Sequence, residues 1–160
     1  MCPPAPMYGA AMIENLLQKA VAAKSSAVPK PTLEILNHGL EVLANWANLE
    51  RVIGHLIQNA IEATPKNGQV RVSLTKGDGT VIIEVQDTGH GMSMEFIHER
   101  LFKPFESTKS AGMGIGVFES QEYARELGGW LDVVSSHSSG TTFRMILPCH
   151  NQVHVVEKAA

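Results

Sequence analysis

His55-Leu56-Ile57-Gln58-Asn59-Ala60, Asp87-Thr88-Gly89-His90-Gly91-Met92, Phe102-Lys103-Pro104-Phe105 and Gly112-Met113-Gly114-Ile115-Gly116 are the four stretches that decide how this sequence is interpreted. They are a polar stretch on a helical pattern, an acidic glycine turn, an aromatic pair around Lys-Pro, and a glycine run. Each pattern alone is weak, because turns and helix ends commonly contain such residues. Their occurrence together, in this order, is a specific signal.

Around these stretches, hydrophobic periodicity predicts alternating hairpins and helices. The predicted elements are a helix over 12–24, a hairpin of strands 32–37 and 40–45, a helix capped by Asn45 and running to Thr64, a hairpin of strands 69–76 and 81–87, a short helix over 93–101, a mobile loop over 103–113, a helix over 115–127, and a hairpin of strands 130–136 and 141–147. This order favours an α+β fold: one mixed, mostly antiparallel sheet with its helices on one face.

Bulk composition restricts the class of protein. The chain has 160 residues, 44% hydrophobic residues and a net charge of -3, which fits one globular domain and gives no basic surface for nucleic acid. The two cysteines lie near opposite ends, and no apolar run is long enough to span a bilayer. We therefore predict a cytoplasmic protein with no nucleic-acid partner and no membrane contact of its own.

The four stretches resemble the N, G1, F and G2 boxes of the histidine-kinase ATP-binding domain, in the GHKL (HATPase_c) superfamily shared with gyrase and MutL. The resemblance covers roughly residues 31–148. It implies the two-layer α/β sandwich known as the Bergerat fold, with ATP and Mg²⁺ as ligands. The sequences of residues 105–109 and 112–117 further resemble the corresponding segments of sensor kinases linked to exosortase (PEP-CTERM) systems. On this basis we predict a leader and linker helix over 1–30, a loose leader over 1–10 within it, a catalytic domain over 31–148 and a tail over 149–160.

On the first long helix, His55, Asn59 and Glu62 share the polar face opposite the aliphatic stripe. The resemblance implies that Asn59 supplies a side-chain oxygen to Mg²⁺, an ion that prefers oxygen ligands and keeps several waters. Gyrase-like ATPases carry a water-activating Glu where this chain has His55, and many kinases carry a second Asn there. We interpret His55 as a neutral residue near the phosphates, with a catalytic base as the alternative, and Glu62 as a surface residue.

Asp87 ends an alternating strand, where a carboxylate can accept a hydrogen bond from the exocyclic amine of adenine. Gly89 and Gly91 let the backbone turn closely around the ring. The resemblance also implies roles for Lys109 as a phosphate contact in a short ATP lid and for Thr141 in holding adenine through water. For both residues an ordinary structural role remains the alternative.

The glycines Gly112, Gly114 and Gly116 precede the helix predicted over 115–127, where successive amides can bind anionic oxygens. The run lacks the features of a Walker A or Rossmann sequence. We interpret it as a phosphate cradle.

No stretch before Pro31 carries a His next to an acidic residue on a helical hairpin. The resemblance therefore implies the catalytic domain alone of a two-component sensor kinase. It would transfer the γ-phosphoryl of ATP to a His on a separate dimerisation domain, with a response regulator downstream. Two alternatives stay open: an ATPase of the MutL or gyrase type, and a nucleotide-binding regulatory module without catalysis.

Overall fold

The computed structural model describes residues 9–91, 112–136 and 139–150. Within them the elements are β1 Gly9–Met12, α1 Ile13–Ala22, β2 Thr32–Ile35, β3 Glu41–Ala44, α2 Trp46–Ala63, β4 Val70–Lys76, β5 Thr80–Asp87, α3 Gly112–Glu126, β6 Trp130–Ser136 and β7 Gly140–Pro148. The predicted short helix over 93–101 and most of the predicted loop over 103–113 lie outside the described residues.

Five strands form one sheet in the order β2-β4-β5-β7-β6. Only β2 and β4 pair in parallel, and the other three neighbouring pairs are antiparallel. The strands alternate buried and accessible residues, so one face of the sheet meets the helices while the other meets solvent. The predicted α+β class, with a mixed, mostly antiparallel sheet and helices on one face, is confirmed.

Helix α2 is the central packing element beneath the sheet. Its aliphatic positions recur at helical spacing and are buried, namely Leu49, Val52, Ile53, Leu56, Ile57, Ala60 and Ile61. Its N-cap is Asn45, whose side-chain oxygen accepts a hydrogen bond from the Asn48 amide at 3.0 Å, as the sequence predicts. The helix ends before Pro65, which cannot continue the hydrogen-bond pattern. No helix in the described ranges is long and apolar enough to cross a membrane.

The predicted hairpin of residues 32–45 is wrong. Strand β2 pairs in parallel with β4, whereas β3 pairs antiparallel with β1 in a separate two-stranded sheet. The local alternation of apolar residues identified both strands but not their partners. Partner choice follows from packing at long sequence range, which the alternation does not encode.

The first described residues belong to the folded core. Gly9 and Ala10, predicted within a loose leader, pair with Ala44 and Leu43 in the β1–β3 sheet. In α1 the side chains of Ile13, Leu16 and Leu17 are fully buried, in the same hydrophobic cluster as α2. The proposed domain limits at 31 and 148 stay a prediction, while β1 and α1 add strand pairing and apolar burial to the same core.

Helix α3 begins at Gly112, whereas the sequence predicted a start at Ile115. Glycine disfavours helix interiors but is tolerated in a first turn, where propensity has a small effect. The other end agrees with the prediction. Gly128 has a φ of +90°, its amide bonds to the Arg125 carbonyl at 3.0 Å, and the Gly129 amide bonds to the Ala124 carbonyl at 2.8 Å. These two bonds form a Schellman motif.

Candidate functional site

Asp87 is the last residue of β5, in the middle of the five-stranded sheet. It lies opposite Val70 of β4 on one side and Thr141 of β7 on the other. Asp87 is only 5% exposed and forms no ion pair with any described residue, which is unusual for a carboxylate. The sheet therefore fixes a buried acidic group at the point where the chain leaves β5.

One oxygen of the Asp87 carboxylate is held by backbone amides. Oδ1 accepts hydrogen bonds from the Gly89 amide at 2.8 Å and the Thr141 amide at 3.3 Å. Burial raises the pKa of Asp87 above its ordinary value, and these two hydrogen bonds partly oppose that shift. Oδ2 makes no hydrogen bond to the described residues, so it remains available as an acceptor for a ligand.

The turn after Asp87 is held by hydrogen bonds to Gln69 and by close packing against α2. The Thr88 hydroxyl accepts a hydrogen bond from the Gln69 amide at 2.9 Å, and the Thr88 amide donates to the Gln69 carbonyl at 3.1 Å. A β-carbon on Gly89 would lie 2.1 Å from the Ala63 carbonyl oxygen, so only glycine allows this approach to the C-terminal end of α2. Gly91 has a φ of +74°.

Gly140 closes the other side of the turn. Its φ is +98°, and a β-carbon there would lie 2.0 Å from the Asp87 carbonyl oxygen. The sequence analysis gave this residue no role. The signal available was a glycine directly before the β-favouring Thr141-Thr142 pair. Gly140 lets β7 begin directly against the end of β5.

Gly140→Ala is therefore expected to lower the free energy of unfolding more than Gly39→Ala does. Gly39 also has a positive φ, +77°, but open space surrounds its missing β-carbon. The strained backbone alone should cost about 1–2 kcal/mol in either variant. Only Gly140→Ala adds a clash with the backbone of Asp87. Denaturant unfolding of both variants measures the difference, and equal losses would contradict the close packing.

Helix α2 presents the second part of the site. Asn59 is 9% exposed, and its Nδ2 is buried without a hydrogen-bond partner among residues 9–91, 112–136 and 139–150. One turn earlier, the Nδ1 of His55 is also buried and lacks a partner in the same ranges. Unsatisfied buried polar atoms are uncommon because each costs about 1–3 kcal/mol. Because two such atoms lie one turn apart on α2, this face of the helix is a candidate ligand site.

Helices α2 and α3 run antiparallel beside each other. The Tyr123 hydroxyl reaches the Asn45 carbonyl at 3.4 Å, and Arg51 reaches Glu119 at 3.3 Å. Because the helices are antiparallel, residues later in α2 lie beside residues earlier in α3. The N-terminus of α3 therefore lies towards His55 and Asn59. The first four amides of a helix have no intrahelical acceptor and carry a partial positive charge. In α3 those amides belong to the glycine run beginning at Gly112.

A shallow cleft of about 520 Å³ lies next to the Asp87 turn. Its walls are the C-terminal end of α2 and the turn after Asp87, with Glu62, Ala63, Thr64, Pro65, Thr88, Gly89 and His90 lining it. That volume falls within the range of small-molecule sites. Nowhere in the described ranges do three His, Cys, Asp or Glu side chains cluster tightly enough to hold a metal ion by themselves.

The fold brings most of the predicted site residues to one region. The end of β5 and the turn after it contain Asp87, Gly89 and Gly91. Thr141 of β7 pairs with Asp87. His55 and Asn59 lie on α2, and the glycine run of Gly112, Gly114 and Gly116 lies in the first turns of α3. Lys109 lies outside the described residues. Sequence reasoning missed Thr88 and Gly140, which shape the turn without a motif of their own.

Comparison with known proteins gives a consistent result. Residues 44–151 match the family described as Histidine kinase-, DNA gyrase B-, and HSP90-like ATPase. Among curated relatives, the C4-dicarboxylate transport sensor protein DctB of Rhizobium meliloti is 34% identical over 82% of this chain and 21% of that protein. Sporulation kinase C of Bacillus subtilis is 37% identical over 62% of this chain and 23% of that protein. The chain thus spans less than a quarter of either relative.

Among solved structures, the nucleotide-free catalytic domain of histidine kinase ThkA is 25% identical to this chain. The similarity covers 88% of this chain and 96% of that one, with a TM-score of 0.75. The fold of this chain therefore matches that solved domain over most of the length of both. The finer resemblance to exosortase-associated kinases is not confirmed by these relatives.

Proposed function

We propose that this chain, which belongs to the family of histidine kinase-, DNA gyrase B- and HSP90-like ATPases, is the ATP-binding catalytic domain of a sensor histidine kinase. Membership of an ATPase family implies the use of ATP. The kinase assignment is supported by relatives named as sensor proteins and kinases. In this proposal the domain positions ATP so that its γ-phosphoryl passes to a His on a separate dimerisation domain.

The observation that carries the proposal is the geometry of Asp87. A carboxylate with one oxygen held by two amides and the other unbonded is an acceptor of fixed direction. The exocyclic amine of adenine is a donor that can meet it. Guanine presents a carbonyl oxygen at the corresponding position, so two acceptors would face each other. We therefore assign Asp87 to adenine recognition, with Gly89, Gly91 and Thr141 shaping the surrounding backbone.

The phosphates would lie between α2 and the N-terminus of α3. The amides of the Gly112, Gly114 and Gly116 run supply donors and a favourable dipole for anionic oxygens. The nitrogen of the buried Asn59 amide has no partner within the described part of the chain, and rotation about the last side-chain bond exchanges nitrogen and oxygen. Asn59 thus fits a divalent cation such as Mg²⁺, which would neutralise charge on the phosphates. Lys109 is proposed as an additional phosphate contact.

Hydrolysis as the main activity, the alternative of MutL or gyrase type, is less well supported. A hydrolytic ATPase needs a base to activate water. On α2, the position one turn before Asn59 is His55, not a carboxylate. The carboxylate of Glu62, one turn after Asn59, accepts a hydrogen bond from Gln58 at 2.9 Å. Neither residue supplies the expected base, so transfer to another protein group is favoured.

The partners follow from the proposed reaction. The γ-phosphoryl needs an acceptor His on a dimerisation domain, and a response regulator would receive it next. ThkA, whose catalytic domain this chain resembles, has been solved in complex with the response regulator protein TrrA. We propose a partner of the same kind here, and a cytoplasmic location for this domain, because ATP is available there.

Phosphoryl transfer tests the proposal directly. The chain is incubated with radiolabelled ATP and Mg²⁺, alone and together with the dimerisation domain of its parent kinase. We expect little free phosphate from the chain alone and label on the added domain, because positioning and charge neutralisation supply most of the catalysis of phosphoryl transfer. The label should be acid-labile and base-stable, as phosphohistidine is.

Two other results would contradict the proposed kinase function and support one of the alternatives. Rapid release of free phosphate by the chain alone would support the ATPase alternative. Tight ATP binding with neither hydrolysis nor transfer would support the regulatory module. A dimerisation domain whose acceptor His is changed to Gln is the matched control, since it keeps the docking surface and removes the acceptor.

A further inference from the structure

His55 and Asn59 lie one turn apart on α2, and each has a buried side-chain nitrogen without a hydrogen-bond partner in the described residues. In the described part of the chain, the buried side-chain atoms without a hydrogen-bond partner are His55 Nδ1 and Asn59 Nδ2. Residues four apart on a helix are neighbours on its surface. The Nδ1 of histidine and the terminal atoms of asparagine are each bonded to Cγ, so they reach equally far from the backbone. The two side chains can therefore act on one ligand.

Among the described residues, the polar and charged side chains next to His55 and Asn59 on α2 are engaged elsewhere. Gln58 accepts a hydrogen bond from Lys24 at 2.9 Å and donates one to Glu62 at 2.9 Å. Arg51, one turn before His55, pairs with Glu119 of α3 at 3.3 Å. His55 Nδ1 and Asn59 Nδ2 thus remain without a hydrogen-bond partner in the described part of the chain.

We propose that His55 is a nitrogen ligand of the nucleotide-bound divalent cation, and that it shifts the cation preference of the site from Mg²⁺ towards Mn²⁺ and Co²⁺. This inference rests on the proposed ATP·metal function. It gives α2 a pair of ligands at i and i+4, one imidazole nitrogen and one amide oxygen. A pair of ligands at this spacing on one helix face is a known way to hold a single metal ion.

The chemistry of the cations gives the direction of the preference. Mg²⁺ favours six oxygen ligands in a near-ideal octahedron and accepts nitrogen poorly. Along the series from Mn²⁺ to Co²⁺, the affinity for nitrogen ligands rises. An Asn in place of His55 would offer an oxygen and would remove the preference. The identity of this one residue is therefore expected to set which cation supports nucleotide binding best.

A spectroscopic experiment tests direct ligation. The chain is loaded with Mn²⁺ and a non-hydrolysable ATP analogue, and pulsed electron paramagnetic resonance detects nitrogen nuclei bonded to the ion. Labelling only the histidines with ¹⁵N separates a protein imidazole from the adenine nitrogens. We expect a coupling that changes on ¹⁵N-histidine labelling and is lost in His55→Asn.

His38→Gln is the matched control for this experiment. His38 lies between β2 and β3, its side chain is 71% exposed, and its Nδ1 lies 3.2 Å from a Glu14 carboxylate oxygen. The coupling should persist in His38→Gln. A purely structural role for His55 would give no such coupling in any variant, so the signal separates ligation from positioning.

Nucleotide affinity gives an independent measure. We expect the ratio of analogue affinities with Co²⁺ and with Mg²⁺ to be about tenfold higher in the wild-type chain than in His55→Asn. The affinity of each cation for the free analogue cancels in this comparison. Calorimetry or competition with a fluorescent analogue measures it, and a thermal melt of His55→Asn checks that the variant is folded.

The outcomes distinguish the two levels of the proposal. If the analogue binds with a cation dependence that requires Asn59, but no histidine coupling is seen and the affinity ratio does not change, the role of His55 is overturned and the proposed function stands. If no cation-dependent binding of the analogue occurs at all, both are overturned. A histidine coupling that persists in His55→Asn would assign the ligand to another residue and would also overturn the inference.

Discussion

Replacing Asn59 with Ala is expected to remove the cation dependence of nucleotide binding while leaving the fold intact. Asn59 is buried, but its Nδ2 has no partner, so truncation removes an unsatisfied polar atom and little stabilising contact. The cation contribution to binding should fall at least about tenfold, the equivalent of about 1.4 kcal/mol. Calorimetry with Mg²⁺ or Mn²⁺, and with a chelator, measures this change, and denaturant unfolding measures stability.

Gln58→Ala is the control for this result. Gln58 is on the same helix turn, but its side chain bonds Lys24 and Glu62 at the surface. That variant should keep the cation dependence, because its side chain lies outside the proposed site. If Asn59→Ala unfolds, or if its nucleotide affinity still depends on the cation as in the wild type, Asn59 has a structural role and the metal assignment is wrong.

The parts of the fold that the sequence predicted are those with local determinants. The aliphatic stripe of α2, its Asn45 cap and the Gly128 stop of α3 each involve neighbouring residues, and each is found as predicted. The hairpins of β4 with β5 and of β6 with β7 also join strands adjacent in sequence. For these elements the local pattern and the final packing favour the same structure.

The errors lie where partners are distant in sequence. Residues 32–45 contain two strands with correct alternation, yet the two join different sheets. The parallel pairing of β2 with β4 requires α2 as a crossover connection, and a parallel pair cannot close through a short turn. The role of Gly9 and Ala10 in β1 was missed for the same reason, because nothing local reveals pairing with Leu43 and Ala44.

The sequence identified more of the candidate site residues than of the strand partners. The sequence motifs of one protein family include Asp87, Asn59 and the glycine run. A resemblance to that family could therefore single out these residues before any of their contacts was known. The residues that hold Asp87 in place follow no such pattern. Thr88 bonds Gln69 across neighbouring strands, and Gly140 packs on the backbone of Asp87. These contacts depend on the register of β4, β5 and β7, which only the structure supplies.

That register buries the Asp87 carboxylate at an energetic cost, and in the proposed function the same group provides base selectivity. The raised pKa means that the folded state holds its proton more tightly than the unfolded chain does. The stability associated with that proton is fully present below the ordinary carboxyl pKa, and it is lost as pH rises through the raised folded value. At neutral pH the buried charge therefore destabilises the empty domain. A ligand donor bonded to Oδ2 would offset this cost.

Asp87→Asn should consequently change stability and binding in opposite directions. The Asn oxygen can still accept from the Gly89 and Thr141 amides, while the buried charge is gone, so the free energy of unfolding at neutral pH should rise. The difference from wild type should shrink as pH falls below the ordinary carboxyl range, where both side chains are neutral. Chemical unfolding at a series of pH values measures this trend.

In the same variant an amide NH₂ replaces Oδ2 and faces the adenine amine, donor against donor. ATP affinity should therefore fall by about 1–3 kcal/mol, roughly five- to 150-fold, and the preference for ATP over GTP should narrow. Calorimetric titration with both nucleotides measures each effect. Asp132→Asn is the matched control, because Asp132 is on β6 beside Arg144 at 3.7 Å and away from the Asp87 turn. Equal wild-type affinities for ATP and GTP, or an Asp87→Asn variant that binds ATP as well as wild type, would remove Asp87 from base recognition and with it the observation that supports the proposed function.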